Sequence, residues 1–309
     1  MSLVLAGRLA RRWGVAWLLS IVIGVGVGRL IDSEQIAYES RVTRENYEIM
    51  LLDVRLTIPV PLTNTPHGER QPSWSPDGTQ IAFSSDVTGA WEIYTLDLST
   101  PGATPQQLTA DGARAMHPAW TPTGGVIAYD SSDSGRLQLY LRPAMGGTPE
   151  QITITSGEDA SWSPDGTRLA YESYQDSDLE VYVLDVETGA QQNITDNMMF
   201  NEWSAAWSPD GAQLAFSSTR NSEWQVYIAD LVADAETRQL TALPRDTAGA
   251  AWSLDGRWLI VEMYEVSGTR SLYRVPSDGE RVTLRAARRL TTSPTDDRFA
   301  AWRPEPMGR

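Results

Sequence analysis

Three residue types that often carry chemistry are absent or scarce in this chain. Its 309 residues include no cysteine and no lysine, and the only histidines are His67 and His117. Without cysteine there is no disulfide, no thiolate zinc site and no thiol nucleophile. The missing lysine excludes a phosphate-binding P-loop, and neither HExxH nor GxSxG occurs. The common catalytic machineries are therefore mostly missing, while the redox compartment stays undecided.

All of the basic residues are arginines, and acidic residues outnumber them. The chain has 25 arginines against 40 aspartates and glutamates, a formal net charge of −15. Four arginines precede the first acidic residue, Asp32, so residues 30–309 carry 21 arginines against 40 acids, a net charge of −19. A body this negative repels phosphate backbones. We therefore expect no binding to nucleic acid.

The first 31 residues differ in composition from the rest. Three arginines precede an uncharged stretch over residues 13–28, which Arg29 closes. Sixteen helical residues rise about 24 Å, and two more apolar residues after Arg29 bring the length close to that of a hydrocarbon core. We predict a transmembrane signal-anchor helix over about 13–31, with arginines on the cytoplasmic side and residues 32–309 exported as a separate domain. A signal peptide cleaved near Gly26 or Gly28 remains the alternative.

A repeat with a spacing of 42–50 residues fills the exported part. The repeat tryptophan is the first residue of a W-S-P-D-G turn. This turn is complete at 74–78, 162–166 and 207–211 and varied at 120–124 and 252–256. The proline presets the second position of a type I turn, and the aspartate hydrogen-bonds the backbone of its own turn. We predict structural roles for the tryptophans and turn aspartates of the repeat, which are Trp74, Trp120, Trp162, Trp207, Trp252, Trp302, Asp77, Asp165, Asp210 and Asp255.

Three further segments recur behind each turn. An alternating run such as 81–83 comes first, then a run with a regular tyrosine such as Tyr94, then an aliphatic-threonine pair such as 108–109. Four short alternating segments separated by turn residues predict a four-stranded antiparallel unit.

The two ends of the chain supply complementary fragments of this unit. Residues 36–63 match its second, third and fourth strands, and residues 300–302 match its first. We expect the terminal strand to pair beside residues 36–40 and to close a ring without a free edge. A solenoid, the rival architecture, would need capping units at its ends. The sequence thus predicts an all-β, six-bladed propeller of four-stranded blades, preceded by one N-terminal hydrophobic helix.

The W-S-P-D-G turn, the I-A-F strand and the I-Y-x-x-D strand resemble the propeller repeats of the TolB family, also called PD40 or WD40-like repeats. The resemblance covers residues 36–305, departing at Thr123, at Leu254 and in the partial turn at 302–305. It implies a protein that binds partners at its propeller mouth in the periplasm. We expect the α/β domain that precedes the propeller in that family to be absent here, with a membrane anchor in its place. The predicted location is the bacterial cell envelope, on the outer side of the inner membrane.

The resemblance also indicates where a partner binds. Propellers of this family bind at the channel mouth, on the face formed by the fourth-to-first and second-to-third strand loops. Arginines and tryptophans among carboxylates suit polar protein recognition, although solvated loop charges are the alternative reading of each residue. The predicted binding residues in the fourth-to-first loops are Arg70, Arg114, His117, Glu158, Asp159, Glu202, Trp203, Asp246, Asp297 and Arg298.

Three functional hypotheses remain open. The first, favoured by the missing catalytic motifs, is a non-enzymatic, membrane-anchored scaffold that binds a protein partner without a cofactor. The second is a hydrolase centred in the channel. It would be either sialidase-like, using Arg70, Arg114 and Arg298, or lactonase-like, with a calcium ion held by channel carboxylates. The third is an accessory subunit of a larger membrane complex.

Overall fold

A computed structural model describes residues 34–43, 46–110, 112–175, 178–196, 199–231, 237–292 and 294–304. Within these ranges the regular elements are β-strands, and none of the described residues belongs to a helix long and apolar enough to cross a bilayer. The predicted helix over residues 13–31, and the predicted domain boundary that follows it, lie outside the described residues.

The described strands form six four-stranded antiparallel sheets, one for each blade. Blade 1 contains β1 (Gln35–Arg41), β2 (Tyr47–Asp53), β3 (Pro59–Pro61) and the last strand, β24 (Asp297–Trp302). Blade 2 contains β4 (Glu69–Trp74), β5 (Gln80–Ser85), β6 (Glu92–Asp97) and β7 (Gln106–Gln107). Blade 3 contains β8 (Ala115–Trp120), β9 (Val126–Ser131), β10 (Gln138–Pro143) and β11 (Glu150–Gln151).

The second half of the ring repeats this arrangement. Blade 4 contains β12 (Glu158–Trp162), β13 (Arg168–Ser173), β14 (Glu180–Asp185) and β15 (Gln191–Asn193). Blade 5 contains β16 (Glu202–Trp207), β17 (Gln213–Ser218), β18 (Gln225–Asp230) and β19 (Arg238–Gln239). Blade 6 contains β20 (Thr247–Trp252), β21 (Trp258–Tyr264), β22 (Arg270–Pro276) and β23 (Arg288–Arg289).

The last strand closes the ring as the sequence predicts. β24 pairs antiparallel with β1, with Ile36 opposite Trp302 and Ser40 opposite Asp297. The buried Ser40 hydroxyl donates a hydrogen bond to Asp297 Oδ1 at 2.6 Å. The six-bladed propeller, completed by one C-terminal and three N-terminal strands, is confirmed. Pairing with β24 covers the edge of β1 and gives blade 1 its fourth strand.

Strand direction defines two faces of the propeller. The first strand of each blade, which carries the repeat tryptophan, lines the central channel. We call the face where these strands begin the upper face; it also carries the hairpin tips between second and third strands. The lower face, where the first strands end, carries the W-S-P-D-G turns.

The repeat tryptophans join neighbouring blades. Five of them donate the indole N–H to the carbonyl that precedes the tryptophan of the blade before. These bonds run from Trp74 to Ala301, from Trp162 to Ala119, from Trp207 to Ser161, from Trp252 to Ala206 and from Trp302 to Ala251, at 2.9–3.2 Å. Trp120 is the exception, because its buried Nε1 has no acceptor among the described residues. The tryptophans thus act as clamps between blades.

The turns at the lower face also interlock. Asp165 Oδ1 accepts hydrogen bonds from the Ser163 hydroxyl at 2.6 Å and from the Thr167 N–H at 3.0 Å, and these bonds lower the pKa of Asp165 to about 2. Gly166 has a φ of +72°, and a Cβ there would lie 3.5 Å from Pro122 of the preceding blade. The turn at 162–166 therefore uses its aspartate as a hydrogen-bond acceptor and its glycine for the left-handed backbone conformation.

Candidate binding site at the upper mouth of the channel

A ring of residues with left-handed backbone conformation lines the channel. In each first strand, the residue three positions before the repeat tryptophan has a positive φ between 47° and 62°, and a bulge shifts the strand pairing there. Only glycine adopts this conformation without strain, and strained backbone concentrates at functional sites. We call these six residues the waist: Gln71, His117, Asp159, Ser204, Gly249 and Phe299.

Side chains from the preceding blade bind the backbone of the waist. Glu39 Oε2 accepts from the Gln71 N–H at 3.2 Å, and Glu262 Oε1 accepts from the Phe299 N–H at 2.7 Å. Each acceptor directly follows the apolar triplet of a second strand. The residues at this position are Glu39, Ser84, Asp130, Glu172, Ser217 and Glu262. Ser84 differs, because it donates its hydroxyl to Gln71 Oε1, which accepts from the His117 N–H at 3.4 Å. The sequence analysis missed them, although a polar residue directly after a buried apolar triplet was a signal that pointed to them.

His117 occupies the centre of a polar network in the waist. Its Nδ1 lies 2.5 Å from Asp130 Oδ1, its Nε2 lies 2.7 Å from Gln71 Nε2, and its ring centroid is 5.9 Å from that of Phe299. Burial lowers the pKa of His117, but the carboxylates around it, chiefly Asp130 and Asp159, outweigh burial and raise the pKa to about 9. Gln71 Oε1 accepts from the Ser84 hydroxyl at 3.0 Å, which places the Gln71 amide nitrogen toward Nε2.

Two carboxyl groups meet beside this network. Asp159 and Glu172 are close enough to interact electrostatically, and Glu172 Oε1 accepts from the Ser204 N–H at 2.5 Å. Burial raises the pKa of both groups, and the charge of Asp159 adds to the rise for Glu172, which lies well above its ordinary value. Two neighbouring buried carboxyl groups disfavour ionisation of both at once. Blade 4 therefore gives the channel an acidic wall formed by two neighbouring carboxyl groups.

The three arginines considered for a sialidase-like site are all ion-paired. Arg70 pairs with Glu39 at 3.0 Å, Arg114 with Asp130 at 3.4 Å, and Arg298 with Asp296. The guanidinium group of Arg70 also stacks on Tyr47, 4.4 Å from the ring centroid. Arginines that are already neutralised in this way are poorly placed to converge on the carboxylate of a substrate.

The structure corrects the location of most predicted binding residues. Eight of the ten lie in first strands rather than in loops, because pairing with the second strand continues beyond the bulge. Arg114 and Asp246 do precede their strands. Glu202 and Asp297 are fully buried. Glu202 Oε1 accepts a hydrogen bond from Arg220 Nε at 3.2 Å. Asp297 Oδ1 accepts one from the hydroxyl of Ser40 in β1, where the ring closes.

The exposed rim of the upper face is apolar and aromatic at blades 4 and 5. Ile154 is 87% exposed and Tyr174 is 57% exposed. The Tyr174 N–H donates to Ser156 Oγ at 2.9 Å, so the two loops that carry these side chains touch. Trp203 packs edge-on against Trp224 with ring centroids 5.7 Å apart. The rim thus offers apolar contacts next to the acidic wall.

Below the waist lies a cavity of about 400 Å³. It extends from the waist to the prolines of the lower turns, such as Pro76 and Pro122, and alanines of the first strands line much of its wall. Of the ten predicted binding residues, His117 and Asp159 line this cavity. Among the described residues, no three histidine, aspartate or glutamate side chains form a group that could hold a metal ion. Calcium in the channel stays a prediction.

Comparisons with known proteins agree with this geometry. The family profile described as the TolB beta propeller domain (PD40) matches residues 31–161 and 159–305. No curated protein matches the chain.

Several solved structures share the fold. TolB from Acinetobacter baumannii has a TM-score of 0.77 and 23% identity, over 93% of this chain and 70% of that one. A putative TolB from Agrobacterium tumefaciens has a TM-score of 0.69 and 20% identity, over 88% and 92%. Hydrazine synthase from Kuenenia stuttgartiensis has a TM-score of 0.71 and 16% identity, over 88% and 47%. At these identities the structural likeness speaks for the fold alone, whereas the family profile covers nearly all of the propeller. The chain therefore belongs to the TolB β-propeller family.

Proposed function

We propose that this protein is a non-enzymatic scaffold of the cell envelope that captures a protein partner at its upper mouth. The observation that carries the proposal is the combination, on one face, of an acidic channel wall at blade 4 and an exposed apolar rim. Glu158 begins β12 and precedes Asp159, and the Tyr174 N–H bond to Ser156 Oγ holds the loops of Ile154 and Tyr174 together just before this strand. Apolar anchors beside polar groups are what protein interfaces use.

The geometry of the waist also favours the binding of a partner at the mouth over the passage of a molecule through the channel. Phe299 and His117 approach each other across the channel, and the bulges beneath the mouth are fixed by buried carboxylates. A segment of a partner that enters the mouth therefore meets a rigid floor. A preorganised surface loses little conformational entropy on binding.

Residues 13–31 supply the proposed membrane anchor, and family membership supports a periplasmic location. An exported body on a short tether suits a protein that works beside the membrane. The same arrangement fits the related proposal of an accessory subunit in a larger membrane complex, because that subunit would also bind its neighbour through the upper mouth.

A channel-centred hydrolase receives less support. Both ring nitrogens of His117 are engaged, by Asp130 and by Gln71, so neither activates a nucleophile in this arrangement. Hydrazine synthase shares the fold, so the fold by itself leaves enzymatic activity open.

Affinity capture tests the proposal. Full-length protein is purified from detergent-solubilised membranes, and co-purifying proteins are identified by mass spectrometry. The mouth variant combines Ile154→Ala and Tyr174→Ala, and the control is Met145→Ala, which removes a 96% exposed side chain on the lower face.

We expect a stoichiometric partner that the control retains and the mouth variant loses, with melting temperatures nearly unchanged because all three side chains are exposed. A solitary protein, or a partner held equally by both variants, would contradict capture at the upper mouth.

A further inference from the structure

The predicted anchor joins the propeller at the lower face. Glu34 precedes β1, and its carbonyl accepts a hydrogen bond from the Val54 N–H at 2.9 Å, which places it beside the turn after β2. Three residues, 32–34, separate the end of the predicted helix from Gln35. A fully extended chain of this length spans at most about 11 Å. A membrane that holds the anchor is therefore close to this part of the lower face.

The turn at this point carries two exposed apolar side chains. Residues 54–58 connect β2 with β3, and Leu56 and Ile58 are 62% and 66% exposed. The turn is well fixed, because Asp53 Oδ1 accepts from the backbone N–H groups of Arg55 and Leu56 at 2.8 and 3.2 Å. Two large aliphatic side chains at the tip of a rigid turn are costly in water and favourable in a bilayer interface.

The charges around the turn are balanced, unlike those of the body as a whole. Arg55 pairs with Asp53 at 4.0 Å, and Arg274 pairs with Glu34 at 3.4 Å. Arg274 also lies over the ring of Trp258, 4.3 Å from its centroid. Arginine with an aromatic ring is typical of side chains at the membrane–water boundary. This part of the lower face can therefore approach a lipid surface that would repel the acidic upper mouth.

We infer that the turn over residues 54–58 rests in the headgroup layer of the membrane, and that the upper mouth faces away from the bilayer. The inference rests on the proposed anchor, because the anchor brings the turn to the membrane. It adds a second, interfacial contact that orients the propeller. A body held at two neighbouring points cannot tumble on its tether, so the mouth stays open toward a partner in solution or on the opposite membrane.

The absence of cysteine makes a clean test possible. Single-cysteine variants Ile58→Cys and Val266→Cys are labelled with a small fluorophore in the full-length chain. The two positions are matched, since both carry β-branched side chains in exposed turns, at 66% and 83% exposure, on opposite faces. Each labelled protein is reconstituted into phosphatidylcholine–phosphatidylglycerol vesicles that contain spin-labelled lipid as a quencher, and membrane attachment is measured separately by flotation.

We expect both proteins to float and the label at residue 58 to be quenched at least about twofold more than that at residue 266, because interfacial groups lie within about 10 Å of the acyl boundary. Equal quenching in floating protein would overturn the inference while leaving the anchor intact. Failure to float would overturn the anchor, and the inference with it. Cross-linking between residues 58 of two copies in lipid-free detergent would assign the turn to a dimer and also overturn the inference.

Discussion

Trp252 and Trp120 provide a natural comparison for the energy of one interblade clamp. Both are 9% exposed, so replacing either by phenylalanine removes nearly the same packed surface. Trp252 Nε1 donates to the Ala206 carbonyl at 3.1 Å, whereas the Nε1 of Trp120 is buried without an acceptor among the described residues. The difference between the two variants therefore isolates the hydrogen bond.

The magnitude follows from the cost of losing a hydrogen bond. A typical bond contributes about 1 kcal/mol net, and the acceptor left behind adds to the loss, so Trp252→Phe should cost about 1–2 kcal/mol more than Trp120→Phe. Removing the unpaired Trp120 N–H relieves a desolvation cost, so the difference in the free energy of unfolding between the two variants becomes larger. For a domain of this size, we expect the melting temperature of Trp252→Phe to lie about 2–6 °C below that of Trp120→Phe.

Thermal and urea unfolding followed by circular dichroism measure the difference. Trp302→Phe is a second clamped variant and should behave like Trp252→Phe, because its Nε1 donates to Ala251 at 2.9 Å. If Trp120→Phe proves as destabilising as the clamped variants, the interblade hydrogen bonds contribute little and packing alone explains the tryptophans.

Two further predictions concern pH and the lower turns. Burial raises the pKa of Glu262 from 4.5 to about 7, so its stabilising contribution is complete below pH 4.5 and is lost as the pH rises through 7. The melting temperature of Glu262→Gln relative to the unmodified protein should therefore increase between about pH 5 and about pH 8, and a constant or falling difference would contradict this reasoning. Gly78→Ala should lower the free energy of unfolding more than Gly135→Ala, because both have positive φ but a Cβ at residue 78 would lie 2.8 Å from the Pro304 carbonyl oxygen, whereas nothing lies within 4 Å at residue 135. Equal losses in urea unfolding would show that backbone strain alone matters.

The fold was predictable because the sequence motif of one four-stranded unit is repeated along the chain. A single W-S-P-D-G turn would mark only a hairpin, but repeated copies with complementary fragments at the ends require a closed ring. The pairing of Ile36 with Trp302 confirms that argument in detail.

The candidate site was only partly predictable. His117 and Asp159 were recognised as polar residues near the channel, and the structure places both in the waist. Glu39, Glu172 and Glu262 were missed, because a polar residue inside an alternating strand looks like one that faces solvent. Their actual partners are backbone N–H groups of the next blade, which lie tens of residues away in the chain.

The sequence by itself determined the blade, the number of blades and the closure of the ring, since these depend on local periodicity and on turn chemistry repeated along the chain. Only the tertiary structure decided which polar side chains meet. Ring closure sets each second strand against the bulged first strand of the next blade, and it turns carboxylates that are far apart in sequence into one buried wall. The tertiary structure also determined that β1 begins at the lower face, opposite the mouth, because the direction of β1 is fixed by its pairing with β24.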